Sequence, residues 1–296
     1  MIISASRRTD IPTFYSRWFI NRIREGSCLV PHPFNPKQIS EVSLQPEDVE
    51  AIVFWTRDPR PLFPYLDELD DRGYRYYFQY AVLDNPREID PGTPRLTDAL
   101  ATFRELSRRI GPERVIWRYD PIIFSSITTA EFHRWTYTRI ARELRGYTRR
   151  SVISIVDLYP RLKKRLGELK REGITLLTEK EISGRWFDDC MNALALSARE
   201  SGMEIMSCAE PIDLTPYGIK PGKCIDDELI KDLFGITVSS KKDPGQRKLC
   251  NCALSRDIGV YDTCVFGCRY CYATTDFYRA GKNYRQHDPH SRSLIP

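Results

Sequence analysis

The chain of 296 residues has no apolar run of about 18 residues, so no segment reads as a membrane-spanning helix. Histidine is scarce: His32, His133, His287 and His290 stand apart, without H-E-x-x-H or a serine–histidine–aspartate arrangement. That argues against a zinc-hydrolase helix and a serine-nucleophile triad. Two common phosphate cradles are also missing, since no G-x-G-x-x-G follows an apolar run and no G-x-x-x-x-G-K-[ST] occurs. There is no internal repeat beyond an alternating strand–helix unit. The opening Met1–Arg8 lacks the long apolar stretch of a secretion signal and reads as a buried strand, so a cytoplasmic location is expected.

What is present is an ordinary globular composition, 41% hydrophobic and 29% charged. Sixteen Tyr, 13 Phe and 5 Trp need burial and argue against disorder. The net charge of +5 is mild and alone says little about nucleic acid. Arg outnumbers Lys, and Arg suits bidentate capture of carboxylate or phosphate.

Apolar β-rich runs alternate with helical patterns. Strands are expected at Ile2–Ser6, Ala51–Trp55, Tyr74–Leu83, Val115–Tyr119, Ser151–Val156 and Glu204–Cys208, with a short seventh at Ile258–Tyr261. Helices are expected from about Pro12, with Asp10 as N-cap, and from about Thr97. Capping boxes at Thr128/Glu131 and Thr178/Glu181 announce two more, and the basic stretch Arg161–Arg171 reads as a solvated helix face. Such alternation predicts an α/β fold with a parallel sheet: a partial or closed, TIM-like (β/α) barrel over residues 1–240. Gly235–Lys248 reads as a linker, residues 241–296 as a cysteine-rich segment packed on the barrel, and Arg279–Pro296 as a loose polar tail.

Nine cysteines occur, five of them between Cys250 and Cys271. In a reducing compartment such clustering favours metal over disulfides. The sharpest motif is Cys264-Val265-Phe266-Gly267-Cys268-Arg269-Tyr270-Cys271. Three thiolates at this spacing can each bind one iron of a cubane and leave the fourth iron open. Gly267 permits close backbone approach, and Tyr270 supplies an aromatic wall. A structural zinc site is the competing reading.

At Cys264, Cys268, Tyr270 and Cys271 the chain resembles the radical S-adenosylmethionine (radical SAM) superfamily, whose signature is C-x3-C-x-aromatic-C. The resemblance implies a [4Fe–4S] cluster whose open iron binds SAM and whose reduction yields a 5′-deoxyadenosyl radical. From the Ser-Arg-Arg-Thr-Asp opening to the Cys-Tyr-Ala ending, the chain also resembles a bacterial and archaeal family, domain of unknown function 1848 (DUF1848), described as having such a cluster at its C-terminus. Radical SAM enzymes mostly carry the motif after their first strand, so a circular permutation is implied here. The G-G-E-like motif that often holds the SAM amino group has no counterpart, the chain reading Ser6-Arg7-Arg8-Thr9-Asp10, so no SAM contact is carried over.

Four further cysteines, Cys208, Cys224, Cys250 and Cys252, match the number a closed all-cysteine site needs. A second cluster, [4Fe–4S] rather than zinc, is expected there, with core thiols and a Cys250–Cys252 pair acting on the first site as the alternative. Cys28 and Cys190 sit in apolar patterns and read as core thiols. Barrel active sites lie at strand C-termini. That rule nominates Ser6, Arg7, Arg8, Asp10, Gln79, Arg118, Asp120, Asp157, Glu210 and Tyr270 as cofactor- or substrate-binding, with mutual salt bridges and helix capping as the alternative. The functional expectation is a radical SAM-type enzyme acting on an anionic small molecule, fed by an electron donor such as a flavodoxin or ferredoxin. A nucleic-acid substrate is a lesser option, since Cys-Tyr-Ala also resembles spore photoproduct lyase-like members. The alternatives are a non-catalytic iron–sulfur electron carrier and a zinc-stabilised nucleic-acid-binding protein.

Overall fold

The computed structural model describes residues 1–33 and 35–295. Eight parallel strands form one sheet: β1 (Ile2–Ala5), β4 (Ala51–Thr56), β5 (Tyr76–Ala81), β6 (Val115–Ile122), β7 (Arg150–Ile155), β8 (Glu204–Ser207), β9 (Lys220–Pro221) and β10 (Arg256–Asp257). A separate antiparallel hairpin joins β2 (Ser27–His32) to β3 (Asn35–Ser43). Spatial order follows chain order from β1 to β9, and β10 lies on the free side of β1, with Ile3 opposite Arg256 and Ser4 opposite Asp257. No ladder joins β9 to β10 among the described residues; Ala253 N–H beyond one edge reaches Ile225 C=O beyond the other at 3.0 Å.

The strand sequences fit burial on both sides, being rich in β-branched and aromatic residues without polar alternation. Alternate residues feed two cores. Ile3, Ile52, Phe54, Phe78, Trp117 and Ile153 pack against α1 (Ile11–Phe14), α2 (Ser16–Glu25), α3 (Leu66–Asp71), α4 (Leu96–Ile110), α5 (Ala130–Glu143) and α7 (Arg185–Glu200). In α4 the buried Leu96, Leu100, Phe103, Leu106 and Ile110 recur at helical spacing. On the opposite face Ile2, Ala51, Val53, Tyr77, Ile116 and Val152 pack with α8 (Asp227–Phe234) and with Cys224, Cys250 and Cys252. α6 (Lys163–Arg171) and α9 (Phe277–Gln286) flank the C-terminal ends of the strands. No helix among the described residues is long and apolar enough to cross a membrane.

Several local expectations need correction. The hairpin β2–β3 went unforeseen because its strands carry Pro and charge and lie at the surface. The seventh strand is Arg256–Asp257, not Ile258–Tyr261, because Ser4 and Ser6 hydroxyls and the Arg7 N–H all draw the Asp257 carboxylate into the sheet. Thr129, not Thr128, caps α5, since the Thr128 hydroxyl donates to Ile123 C=O at 2.5 Å instead. The Thr178/Glu181 capping box is formed but opens a single turn, Glu179–Glu181, and α7 begins only after Gly184. The tail is docked rather than loose: Trp18 Nε1–H donates to Ser291 C=O, Leu29 N–H to Arg292 C=O, and Leu294 is buried.

Candidate functional site

The 264–271 loop leaves β10 through a tightly fastened base. Asp257 accepts from Ser4 Oγ at 2.9 Å, Ser6 Oγ at 2.7 Å and Arg7 N–H at 2.8 Å. Gly259 then passes so close to Ser6 that any side chain would strike the Ser6 hydroxyl. Asp262 closes the far side: its N–H donates to Ala273 C=O at 3.0 Å, and its carboxylate accepts from Thr275 Oγ1 at 2.8 Å. Between these ties Cys264, Cys268 and Cys271 share one apolar pocket with Ile89, Ile123, Phe266 and Tyr270. Cys268 is buried and the other two partly so. Burial pushes the thiols of Cys264 and Cys268 upward.

The pocket lies at the C-terminal ends of the strands. Arg57, just beyond β4, reaches Tyr270 Oη and lies 3.4 Å from Asp90, while Tyr270 Oη–H donates to Asp90 at 3.1 Å. Phe266 packs on Phe14 with ring centroids 4.7 Å apart. Its carbonyl accepts from Gly92 N–H at 3.0 Å, an approach no other residue permits, since a Cβ at Gly92 would stand 2.5 Å from that oxygen. Arg165 of α6 is buried and donates to the carbonyls of Cys268 at 3.4 Å, Cys271 at 2.7 Å and Thr274 at 2.7 Å. It pins the loop through its backbone, which corrects the reading of 161–171 as a wholly solvated face.

The other four cysteines converge from distant segments. Cys208 follows β8, Cys224 follows β9, and Cys250 and Cys252 precede β10. Cys224 Sγ donates to Cys208 Sγ at 3.0 Å, and the backbone N–H groups of Cys224 and Ile225 donate to Cys252 Sγ at 3.3 and 3.4 Å. Arg118 Nη1 donates to Cys224 Sγ at 2.8 Å. Hydrogen bonds from neighbouring thiols favour the thiolate of Cys252, and that from Cys224 lowers Cys208 to about 7. Cys28 and Cys190 are isolated core thiols, pushed by burial to about 12.

A family model described as Domain of unknown function (DUF1848) matches residues 2–273. The chain belongs to the DUF1848 family. No curated protein and no solved structure matches it.

The nominated residues of this DUF1848 chain fall into four groups. Ser6, Arg7 and Arg8 gather on Asp257, with Arg8 Nε 4.0 Å from its carboxylate. Asp10 caps α1 through Thr13 N–H at 2.9 Å and also accepts from Arg57 N–H at 2.7 Å; burial raises it to about 6. Gln79, Arg118 and Asp120 adjoin the four thiols: Gln79 Nε2 donates to Cys224 C=O at 2.8 Å, and Arg118 pairs with Asp120. Burial opposes ionisation of Asp120, but Arg118 and the Ser154 hydroxyl outweigh it and hold the carboxyl below its usual range. Asp157 pairs with Arg247 at the rim beside Glu210, which burial raises to about 7. Both line an open cleft of about 560 Å³ at the ends of β7 and β8. Tyr270 stands in the loop pocket.

Sequence reasoning missed Asp257, Asp90, Asn85 and Arg165, and placed Arg57 at a strand end without nominating it. Asp90 and Asn85 lie in a Pro/Gly-rich loop where nothing marks one polar residue above another, and Arg165 sits in a run of like charges. Two polar atoms beside the loop pocket, Asn85 Oδ1 and Asp90 Oδ1, are buried without a partner, as are Arg7 Nη2 and Trp55 Nε1 beside the second cysteine set. Arg7 and Arg118 both stack on Trp55, at 5.3 and 5.0 Å from its ring centroid. Buried groups left unpaired are costly and mark places where a ligand can supply the missing bond. Among the described residues no three or more His, Cys, Asp or Glu side chains surround a single ion position. The three loop thiols fit a cluster instead, where each sulfur takes its own iron and an apolar wall limits water.

Proposed function

We propose that this protein is an iron–sulfur enzyme of radical SAM type, built on a (β/α) barrel whose order is circularly permuted. The barrel reading rests on the cyclic strand order, with the last strand against the first, and on the Ile225–Ala253 hydrogen bond linking the sheet's two edges. On this reading residues 1–240 supply most of the barrel, and 241–296 supply its last strand and the iron–sulfur loop. The observation that carries the assignment is the convergence of Cys264, Cys268 and Cys271 in one apolar pocket at the strand C-termini, beside unpaired polar atoms.

Cys264, Cys268 and Cys271 would hold the [4Fe–4S] cluster. When bound, that cluster supplies the electron for reductive cleavage of SAM, and with it a radical able to abstract hydrogen. The chain's own residues prepare the pocket. Arg57 places positive charge beside an anionic site and holds the Tyr270 phenol, while Phe266, Phe14 and Ile123 keep water out. Asp90 Oδ1 and Asn85 Oδ1, beside the loop pocket, can accept, which suits a ligand carrying an ammonium group. The Arg side chains favour an anionic substrate. A flavodoxin or ferredoxin is the electron donor this chemistry requires.

The test is anaerobic reconstitution with iron and sulfide, followed by SAM and dithionite. The expected outcome is a brown protein that releases 5′-deoxyadenosine. A brown protein that leaves SAM intact would support an electron carrier, and a colourless zinc protein would remove the proposal.

A further inference from the structure

The positive charge of the chain is unevenly placed. α6 carries five basic residues and α9 three, against one acid in the two helices, Glu168. These helices flank the loop of Cys264, Cys268 and Cys271. Arg165 of α6 bonds the carbonyls of Cys268 and Cys271, and its guanidinium lies 4.9 Å from the ring of Phe277, the first residue of α9. Farther along α9, the ring of Tyr284 stands 5.7 Å from that of Phe14, which packs on Phe266 of the loop.

The outer sides of both helices are open to solvent. In α9 Tyr278, Lys282 and Arg285 recur at i, i+4 and i+7, so they share the side away from the buried Ala280, and all three are exposed. Tyr278 is 77% exposed, a large ring that the fold itself does not use. In α6 Lys163, Lys164, Lys170 and Arg171 are exposed. Neighbouring acids are engaged elsewhere: Glu168 and Glu172 face Arg269, and Asp262 accepts from Thr275 and faces Arg279. Arg161, also exposed, donates to the carbonyl of Tyr272 at 3.1 Å, and Tyr272 is half-buried directly after Cys271. The basic face thus reaches to within one residue of a loop sulfur.

We propose that the outer sides of α6 and α9, with Tyr272 between them, dock an acidic one-electron carrier protein that serves the loop. The identity of this partner rests on the iron–sulfur reading above. The carrier is oxidised by one electron and the loop's cluster is reduced by one; no bond forms or breaks and no proton is needed. The sign of the charge selects a carboxylate-rich partner, and exposed Tyr and Arg are residues that protein interfaces favour. Long-range attraction speeds the encounter of opposite charges, which repeated delivery of single electrons requires. A nucleic acid would also meet cations and aromatic rings here. It has no need to lie beside Cys271, whereas an electron donor must come there.

The probe is a flavodoxin of net negative charge. The full chain should bind it with an affinity that falls steeply as salt rises. The double variant Lys282→Glu, Arg285→Glu, and separately Lys163→Glu, Lys164→Glu, should weaken binding about 10-fold or more at an unchanged melting temperature. Tyr278→Ala should weaken it by a smaller factor. In the reconstituted protein the charge-reversed variants should slow flavodoxin-driven release of 5′-deoxyadenosine by a like factor and leave dithionite-driven release as it was. Binding that ignores salt, binding indifferent to all of these variants, or an oligonucleotide that displaces flavodoxin from this face would overturn the proposal. Failure of dithionite to drive release from the wild-type protein would instead remove the iron–sulfur reading, and the binding measurement, which needs no cluster, would still decide the docking face.

Discussion

The two cysteine sets differ in the way that matters for chemistry. Three sulfurs of one eight-residue loop lie in an apolar pocket, fixed through their backbone carbonyls by Arg165, and nearby polar atoms lack partners. Four sulfurs from three distant segments gather on the sheet face that carries α8, where Cys208 contacts Cys224 and the sulfurs of Cys252 and Cys224 accept N–H bonds directly. Three donors leave a metal position open and four leave none. The loop sulfurs adjoin unpaired polar atoms, whereas the second set is bonded to its own neighbours.

The largest test of that contrast is Cys268→Ala. It should abolish both the iron–sulfur absorbance of the loop and the release of 5′-deoxyadenosine while the fold is kept; release that survives would remove the loop thiols from the chemistry. Next in size is a pH effect belonging to neither set. His133 is buried on α5, hydrogen-bonded to Tyr119 Oη at 2.8 Å and Ile123 C=O at 2.9 Å, and burial lowers it to about 4. An unfolded chain binds that proton from about pH 6.5 downward and the folded chain only near 4. Stability should be fully present above that window and fall by about 3 kcal/mol as pH drops through it. Urea midpoints at pH 7 and 4.5 should converge in His133→Gln, and an unchanged gap would show that His133 is not the source of the acid sensitivity.

Arg165→Ala comes third. Without its three carbonyl contacts the loop should retain iron about 10-fold less well or worse. Iron retention after gel filtration measures this, and Arg165→Lys should rescue little because one ammonium cannot span the same carbonyls. The smallest effect is expected for Tyr270→Phe. It removes a hydroxyl bonded to Asp90 and Arg57, and should cost about 1 kcal/mol by thermal melting while iron binding survives. Loss of iron in that variant would make the phenol part of the metal site.

What could be read from the sequence follows the same contrast. That Cys264, Cys268 and Cys271 lie together was legible because their spacing is local, as were the parallel α/β architecture and the strands Ala51–Thr56 and Val115–Ile122, whose apolar runs are unbroken. The meeting of Cys208, Cys224, Cys250 and Cys252 could be counted but not located, because their contact depends on how β8, β9 and β10 are placed. Asp257 escaped notice because its partners Ser4, Ser6 and Arg7 lie some 250 positions away in the chain. Arg165 escaped because a buried guanidinium in a basic run has the same local pattern as a solvated one. Charges nominated as a ligand ring proved partly paired with each other, as Arg118 with Asp120, leaving Arg7, Trp55, Asn85 and Asp90 with atoms to offer.

The most direct test is the EPR spectrum of the reduced, reconstituted protein recorded with and without SAM. The account predicts a [4Fe–4S]⁺ signal that changes on adding SAM and vanishes in Cys264→Ala. A signal indifferent to SAM, or a protein that takes up no iron at these three sulfurs, would contradict it.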